Sequence, residues 1–166
     1  MMKGTSTRVR TSYQVMGQTL VINLEGRRRV LSSAPQGGGL TLASYVLNHQ
    51  VEAHPSAIED QSKPFTDPAH FLRKVASRLG IRARTVGLMT AVPMTQLVMA
   101  RAVSDGLWVE CFATVGVTNA VRAGEWPPQR SHRDRPGKLG TINLMLITNG
   151  SLSSAAMVCA VQVATE

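Results

Sequence analysis

Apolar residues in this chain fall mostly into short blocks of strand length, and they recur at helical spacing clearly in one place. Residues 19–24 (TLVINL) and 28–32 (RRVLS) are two β-rich runs separated by Glu25-Gly26-Arg27, a pattern that predicts a hairpin. Gly37, Gly38 and Gly39 follow; three consecutive glycines predict a loop whose backbone approaches something closely. Residues 43–49 suit a short helix or strand, and residues 52–63 a polar connection. Thr66-Asp67-Pro68 is a helix start, with Phe71, Leu72, Val75, Ala76 and Leu79 at helical spacing and Gly80 as the stop. Residues 85–92 read as a buried strand ended by Pro93. Residues 107–115 form a longer one with a continuation over 117–121, and residues 141–147 a third. Residues 126–137 are a loop rich in Arg and Pro, and residues 151–166 begin a helix. Strands and helices mix without strict βαβ alternation. The expected fold is therefore α+β, with a mixed, largely antiparallel sheet and a few packed helices. Residues 1–18 are expected to be a flexible basic start, and residues 19–166 one domain.

Composition narrows the class. The 166 residues are 43% hydrophobic and 17% charged, against about 25% charged in ordinary soluble domains, which argues against disorder. No apolar stretch of spanning length occurs, and the basic N-terminal residues lack the apolar run of a secretory signal, so a cytoplasmic setting without membrane contact is expected. Cys111 and Cys159 show no metal or disulfide spacing. The net charge of +8 raises the alternative of a basic nucleic-acid-binding domain. Its clusters, at Arg27–Arg29 and at Arg130, Arg133 and Arg135, lack interleaved aromatic residues, so solubilising arginines are the better account and no nucleic-acid partner is expected.

The chemistry is carried by small polar residues next to glycines. Ser32-Ser33 precede Gly37–Gly39, Thr114 and Asn119 flank Gly116, and Gly140 precedes Thr141 and Asn143. Such groups suit a ligand read by hydrogen bonds rather than by charge, although each alone is equally a strand end or turn cap. His49 and His54 miss the spacing of a helical metal pair, and His70 and His132 read as surface residues, so no metal site is expected. The glycine run is neither a P-loop nor a dinucleotide fingerprint. Ser32, Ser33, Thr90 and Thr141 carry hydroxyls without an evident His/Asp partner in the sequence.

Five motifs in order resemble the adenosylcobinamide amidohydrolase family. They are Leu31-Ser32-Ser33 with Gly37-Gly38-Gly39 and Asn48; residues 86–91 (VGLMTA); residues 114–120 (TVGVTNA) with Ala123-Gly124; Gly140-Thr141-Ile142-Asn143; and Ala164-Thr165-Glu166. The resemblance implies hydrolysis of the aminopropanol amide of adenosylcobinamide to adenosylcobyric acid in corrinoid salvage, with the corrinoid as substrate and no further cofactor. Glu166 and Glu125 are the candidate bases on water, Glu166 favoured because it lies in the Thr-Glu motif, with Asn48 and Ser33 as further catalytic candidates. The implied substrate-binding residues are Ser32, Gly37, Gly38, Gly39, Thr90, Asn119, Thr141 and Asn143. Family members continue past the Thr-Glu pair with another helix and a Gly/Thr-rich segment, so a domain lacking its C-terminal part is expected, and with it the alternative of a non-catalytic corrinoid-binding protein. Self-association into a homo-oligomer is left open.

Overall fold

In the computed structural model, which describes residues 11–51, 67–117, 124 and 140–166, the two runs at 19–24 and 28–32 do not form a hairpin. Both belong to one long strand, β2 (Thr19–Ser32), which pairs antiparallel with β3 (Gly39–Gln50) on either side of an irregularity. Asn23 lies opposite Tyr45 and Arg28 opposite Ala43, so residues 24–27 form an irregular bulge where a turn was expected. Glu25 and Gly26 take positive φ values of 50° and 115°, and the Asn23 Oδ1 accepts from the Glu25 N–H at 2.9 Å. The Gly-containing tripeptide thus kinks one strand.

A further strand, β1 (Ser12–Met16), forms within the stretch expected to be a flexible start and pairs antiparallel with β2. On the other side of the sheet, β4 (Thr85–Thr90) runs parallel to β3, so the first sheet has the order β1-β2-β3-β4. Between β3 and β4 lies α1 (Pro68–Arg78), which starts where expected: Asp67 accepts the His70 N–H at 2.8 Å and Pro68 occupies the first turn. Its Leu72, Val75 and Ala76 are buried, and Ala76 packs on Val21 and Leu47 of the sheet.

The second sheet is antiparallel, in the order β5 (Val98–Ser104), β6 (Leu107–Val115) and β7 (Ile142–Thr148). A single 3-10 turn, Met94–Gln96, leads into it from β4. The sheets stack face to face. Leu20, Ile22, Leu24 and Val46 of the first close on Phe112 and Met145 of the second, with Met94 between them. Alternation along the strands assigns neighbouring residues opposite duties: Val46 and Asn48 face the second sheet, while Tyr45 and Leu47 face α1. The final helix, α2 (Ser154–Thr165), is capped by Ser153 and rests against the far side of the second sheet. The fold is α+β with a mixed, largely antiparallel strand arrangement, as the sequence predicts.

The glycine loop is spent on internal packing. Gln36 folds back onto β4, with Gly87 N–H donating to the Gln36 carbonyl at 2.9 Å, and its side-chain Nε2 donates to the Thr85 hydroxyl at 2.6 Å. The loop also folds tightly on itself, so that a Cβ on Gly38 would stand 2.3 Å from the Ala34 carbonyl oxygen. Gly38→Ala therefore forces the backbone to move. We expect it to destabilise the protein by about 1–3 kcal/mol, seen as a lowered midpoint in urea unfolding with an unchanged slope.

Candidate functional site

The far end of β3 is where the small polar residues meet. Asn48 is completely buried, and its Nδ2 donates to the Thr114 hydroxyl of β6 at 3.0 Å. Its Oδ1 accepts from the Asn143 Nδ2 of β7 at 2.8 Å. The same Asn143 nitrogen donates to the Met89 carbonyl of β4 at 2.9 Å. One amide thus ties β3 to two strands of the opposite sheet, and a second ties β7 to β4. Beside them the Thr90 and Thr141 hydroxyls share a hydrogen bond of 3.0 Å. Thr141 also accepts from the Ala91 N–H, and Thr90 from the Val92 N–H.

Gly116 lets two of the motifs meet. A Cβ there would lie 2.9 Å from a Val92 methyl and 3.3 Å from the Gly140 Cα, while its N–H donates to the Thr141 carbonyl at 2.9 Å. The stretch at 114–117 and the stretch at 140–143 are therefore held in contact because position 116 has no side chain.

Exposure separates roles within the cluster. Asn48, Thr90 and Thr114 are buried, so they orient other groups. Asn143 and Thr141 are part-exposed. Both hydrogens of the Asn143 amide are committed to Asn48 and Met89, and its Oδ1 accepts from no described residue. The cluster is neutral and offers amide, hydroxyl and backbone groups.

The other residues expected in the site stand elsewhere. Gly39 and Asn48 are nine residues apart on β3, whose pairing with β2 is interrupted by the irregularity, and the loop before Gly39 folds back onto β4. Ser32 pairs with Gly39 at the start of β3 and Ser33 follows it, whereas Gln36 bridges Gly87 and Gly37 packs on Thr85 and Val86, the β4 residues beside Tyr45, Val46 and Leu47 of β3. The Ser32 hydroxyl is taken up locally, accepting from the Ala34 N–H at 3.0 Å. Glu166 is exposed at the end of α2, and its Oε1 accepts from Gln162 Nε2 at 3.4 Å. Because α2 covers the far side of the second sheet, that helix and the Asn48 cluster lie on opposite faces of it. Asn119 and Glu125 are outside the described residues, as are His54, His132 and the second arginine cluster. Among the described residues no three His, Cys, Asp or Glu side chains are grouped to hold a metal ion.

Two residues at this end of the sheet were not singled out from the sequence. Gln50 Oε1 accepts from the Met94 N–H at 2.9 Å and fixes the turn into the second sheet. His49, read from sequence only as a failed metal ligand, pairs with the buried Thr19 hydroxyl at 2.8 Å and packs on the Phe71 ring. The register of β2 on β3 places Thr19 opposite His49, a long-range pairing with no local sequence signal.

These features define an α+β protein whose polar centre is a buried amide seam between two sheets. The adenosylcobinamide amidohydrolase family matches residues 2–166, and the chain belongs to that family. It is 30% identical over 154 residues to an adenosylcobinamide amidohydrolase of Methanosarcina mazei, covering 93% of this chain and 64% of the relative. It is 29% identical over 167 residues to an uncharacterised protein of Methanocaldococcus jannaschii, covering 90% of this chain and 60% of the relative. The chain thus spans under two thirds of the length of these relatives. No solved structure matches it. Among the described residues no helix is long and apolar enough to cross a membrane.

Burial, and secondarily the Arg78 charge, hold the His49 imidazole below its usual pKa of 6.5. As pH falls through 6.5 the unfolded chain takes up a proton that the folded one still refuses. Stability is therefore lost between 6.5 and the lower folded value, and the loss ends below that value. Urea midpoints measured across this range are expected to fall with pH in the parent protein and to fall less in His49→Gln. An identical pH dependence in both would remove His49 as the source.

Proposed function

We propose that this chain carries the core of an enzyme that hydrolyses the amide joining the aminopropanol arm to the corrinoid in adenosylcobinamide, giving adenosylcobyric acid. Family membership and the name of the Methanosarcina relative support the reaction class. The observation that carries the substrate side is the neutral seam at Asn48, Asn143, Thr90, Thr114 and Thr141. In the proposed binding mode the Asn143 Oδ1, which accepts from no described residue, accepts an N–H from a substrate carboxamide, while Asn48 and Met89 hold that amide in place. Thr141 presents its hydroxyl beside it, and the buried Thr90 holds Thr141. Hydrolysis adds water across the C–N bond: the hydroxyl goes to the carbonyl carbon and the proton to the departing amine. The proposed base is Glu166, with Ser33 as the alternative nucleophile, and Gly37–Gly39 with Ser32 form a second contact surface for the bulky corrinoid.

A second reading, a corrinoid-binding protein without turnover, is favoured by one observation. Glu166 belongs to a helix on the far side of the second sheet, and no described carboxylate hydrogen-bonds to the Asn48 cluster.

Incubation with adenosylcobinamide, followed by chromatography of the corrinoids, separates the readings. We expect adenosylcobyric acid and free aminopropanol. Asn143→Ala should lower kcat/KM at least tenfold, corresponding to about 1.4 kcal/mol for one lost hydrogen bond to substrate. Glu166→Gln tests the base, and undiminished turnover in it would transfer that role to another group. A shift in the corrinoid visible spectrum without product would favour the binding protein. Neither product nor spectral shift would overturn both readings.

A further inference from the structure

One residue of the arginine run at 27–29 does more than meet solvent. Arg29, Leu40, Thr41, Leu42 and Arg84 line an open cleft of about 390 Å³ beside the β2–β3 pairing. Arg29 stands opposite Leu42, and alternation puts Leu40 on the same face. The Arg29 guanidinium is held in place by neutral acceptors: Nη1 donates to the Leu152 carbonyl at 3.4 Å and Nη2 to the Ser154 hydroxyl at 2.8 Å. Its remaining N–H groups have no described acceptor. Arg84 is fixed through its backbone, its carbonyl accepting from the Ser44 and Tyr45 N–H groups at 2.9 and 3.3 Å. Its side chain bonds to no described residue. The described ion pairs join Arg73 to Asp67 and Arg101 to Glu110, so neither arginine of the cleft has a described carboxylate, and none lines the cleft.

We propose that this cleft binds an organic phosphate monoester, its phosphate between Arg29 and Arg84 and its apolar part against Leu40 and Leu42. Two guanidinium groups facing one space repel each other, and an anion between them turns that repulsion into two attractions. A phosphate suits the pair better than a carboxylate. One guanidinium fork already fills both oxygens of a carboxylate, whereas a phosphate has three terminal oxygens and nearly two negative charges to share between two forks. Leu40 and Leu42, 52% and 38% exposed, give the rest of the ligand an apolar wall. A nucleic-acid strand fits less well, because no aromatic residue lines the cleft to stack a base. None of the lining residues belongs to the neutral seam at Asn48 and Asn143, so this second site stands or falls independently of the amide hydrolysis proposed above.

Isothermal titration calorimetry of the full chain with phenyl phosphate, at low salt in a zwitterionic buffer, tests the site. Saturable binding with a Kd below about 1 mM is expected. Inorganic phosphate, which lacks the apolar part, should bind about tenfold more weakly, and phenol, which lacks the charge, should not bind. Arg84→Gln, which leaves the backbone bonds of that residue intact, should weaken phenyl phosphate by about tenfold or more. Arg29→Lys keeps the charge and loses the fork, and should weaken it by a smaller factor. Leu42→Ser should weaken phenyl phosphate and leave inorganic phosphate unchanged. Lys74→Gln removes one charge from the exposed face of α1, away from the cleft, and should leave the affinity as it is. All variants should keep the parent's far-UV circular dichroism. No saturable binding up to about 10 mM phenyl phosphate would overturn the proposal. Equal losses in Arg84→Gln and Lys74→Gln would overturn it too, because they would reveal a diffuse attraction to the net charge of +8 and no site.

Discussion

An amide side chain with no access to solvent must find its partners inside the protein, and Asn48 finds them by reaching across to the opposite sheet. Its two hydrogen bonds, to Thr114 and from Asn143, fix how far the sheets stand apart at this end and in what register they face each other. Leaving either group unpaired would cost about 1–3 kcal/mol, a penalty that dispersion contacts between leucines do not impose for a small slip. The apolar layer of Leu20, Ile22, Val46 and Phe112 therefore supplies the attraction between sheets, and the amide seam supplies the alignment. Everything proposed for function follows from that alignment, because Asn143 and Thr141 are displayed by the strands that Asn48 and Thr90 hold.

The division of labour within the seam explains why its residues are small and neutral. A carboxylate at position 48 would be buried without a counter-charge, which is prohibitive unless it stays protonated. An amide at the same place donates and accepts at once, so it can bridge two strands. Gly116 belongs to the same device, since a side chain there would separate the strands that bring the threonines together. The chain's low charged fraction reflects this construction more directly than its net charge does. Among the described residues, Arg27 and Arg29, which contribute to the +8 total, are exposed and take no part in the seam.

Local chemistry was legible in the sequence, and long-range pairing was not. The start of α1 was readable because an Asp cap followed by Pro is decided within one turn, and the strands at 85–90, 107–115 and 142–148 because their apolar runs are continuous. The motif residues Asn48, Thr90, Thr141 and Asn143 stand far apart in the sequence, and nothing local shows that they share one hydrogen-bond network or that the glycine loop folds back onto β4. The kink in β2 was misread because Glu25-Gly26-Arg27 has hairpin chemistry, and the pairing of both halves with β3 overrides it. One readable signal was missed. Asp105-Gly106 between two apolar runs joins β5 to β6 with φ values of 49° and 78°, the conformation such a dipeptide favours in a two-residue hairpin.

The central claim is that Asn48 acts through Asn143 and Thr114 as one unit. A double-mutant cycle on urea unfolding, combining Asn48→Ala with Asn143→Ala, measures that coupling directly. An interaction energy of about 1 kcal/mol or more is expected, because removing either amide already disables the bond the other would lose. Additivity within about 0.3–0.5 kcal/mol would show two independent side chains that merely lie near each other, and would contradict the seam as the organising feature of the fold and its site.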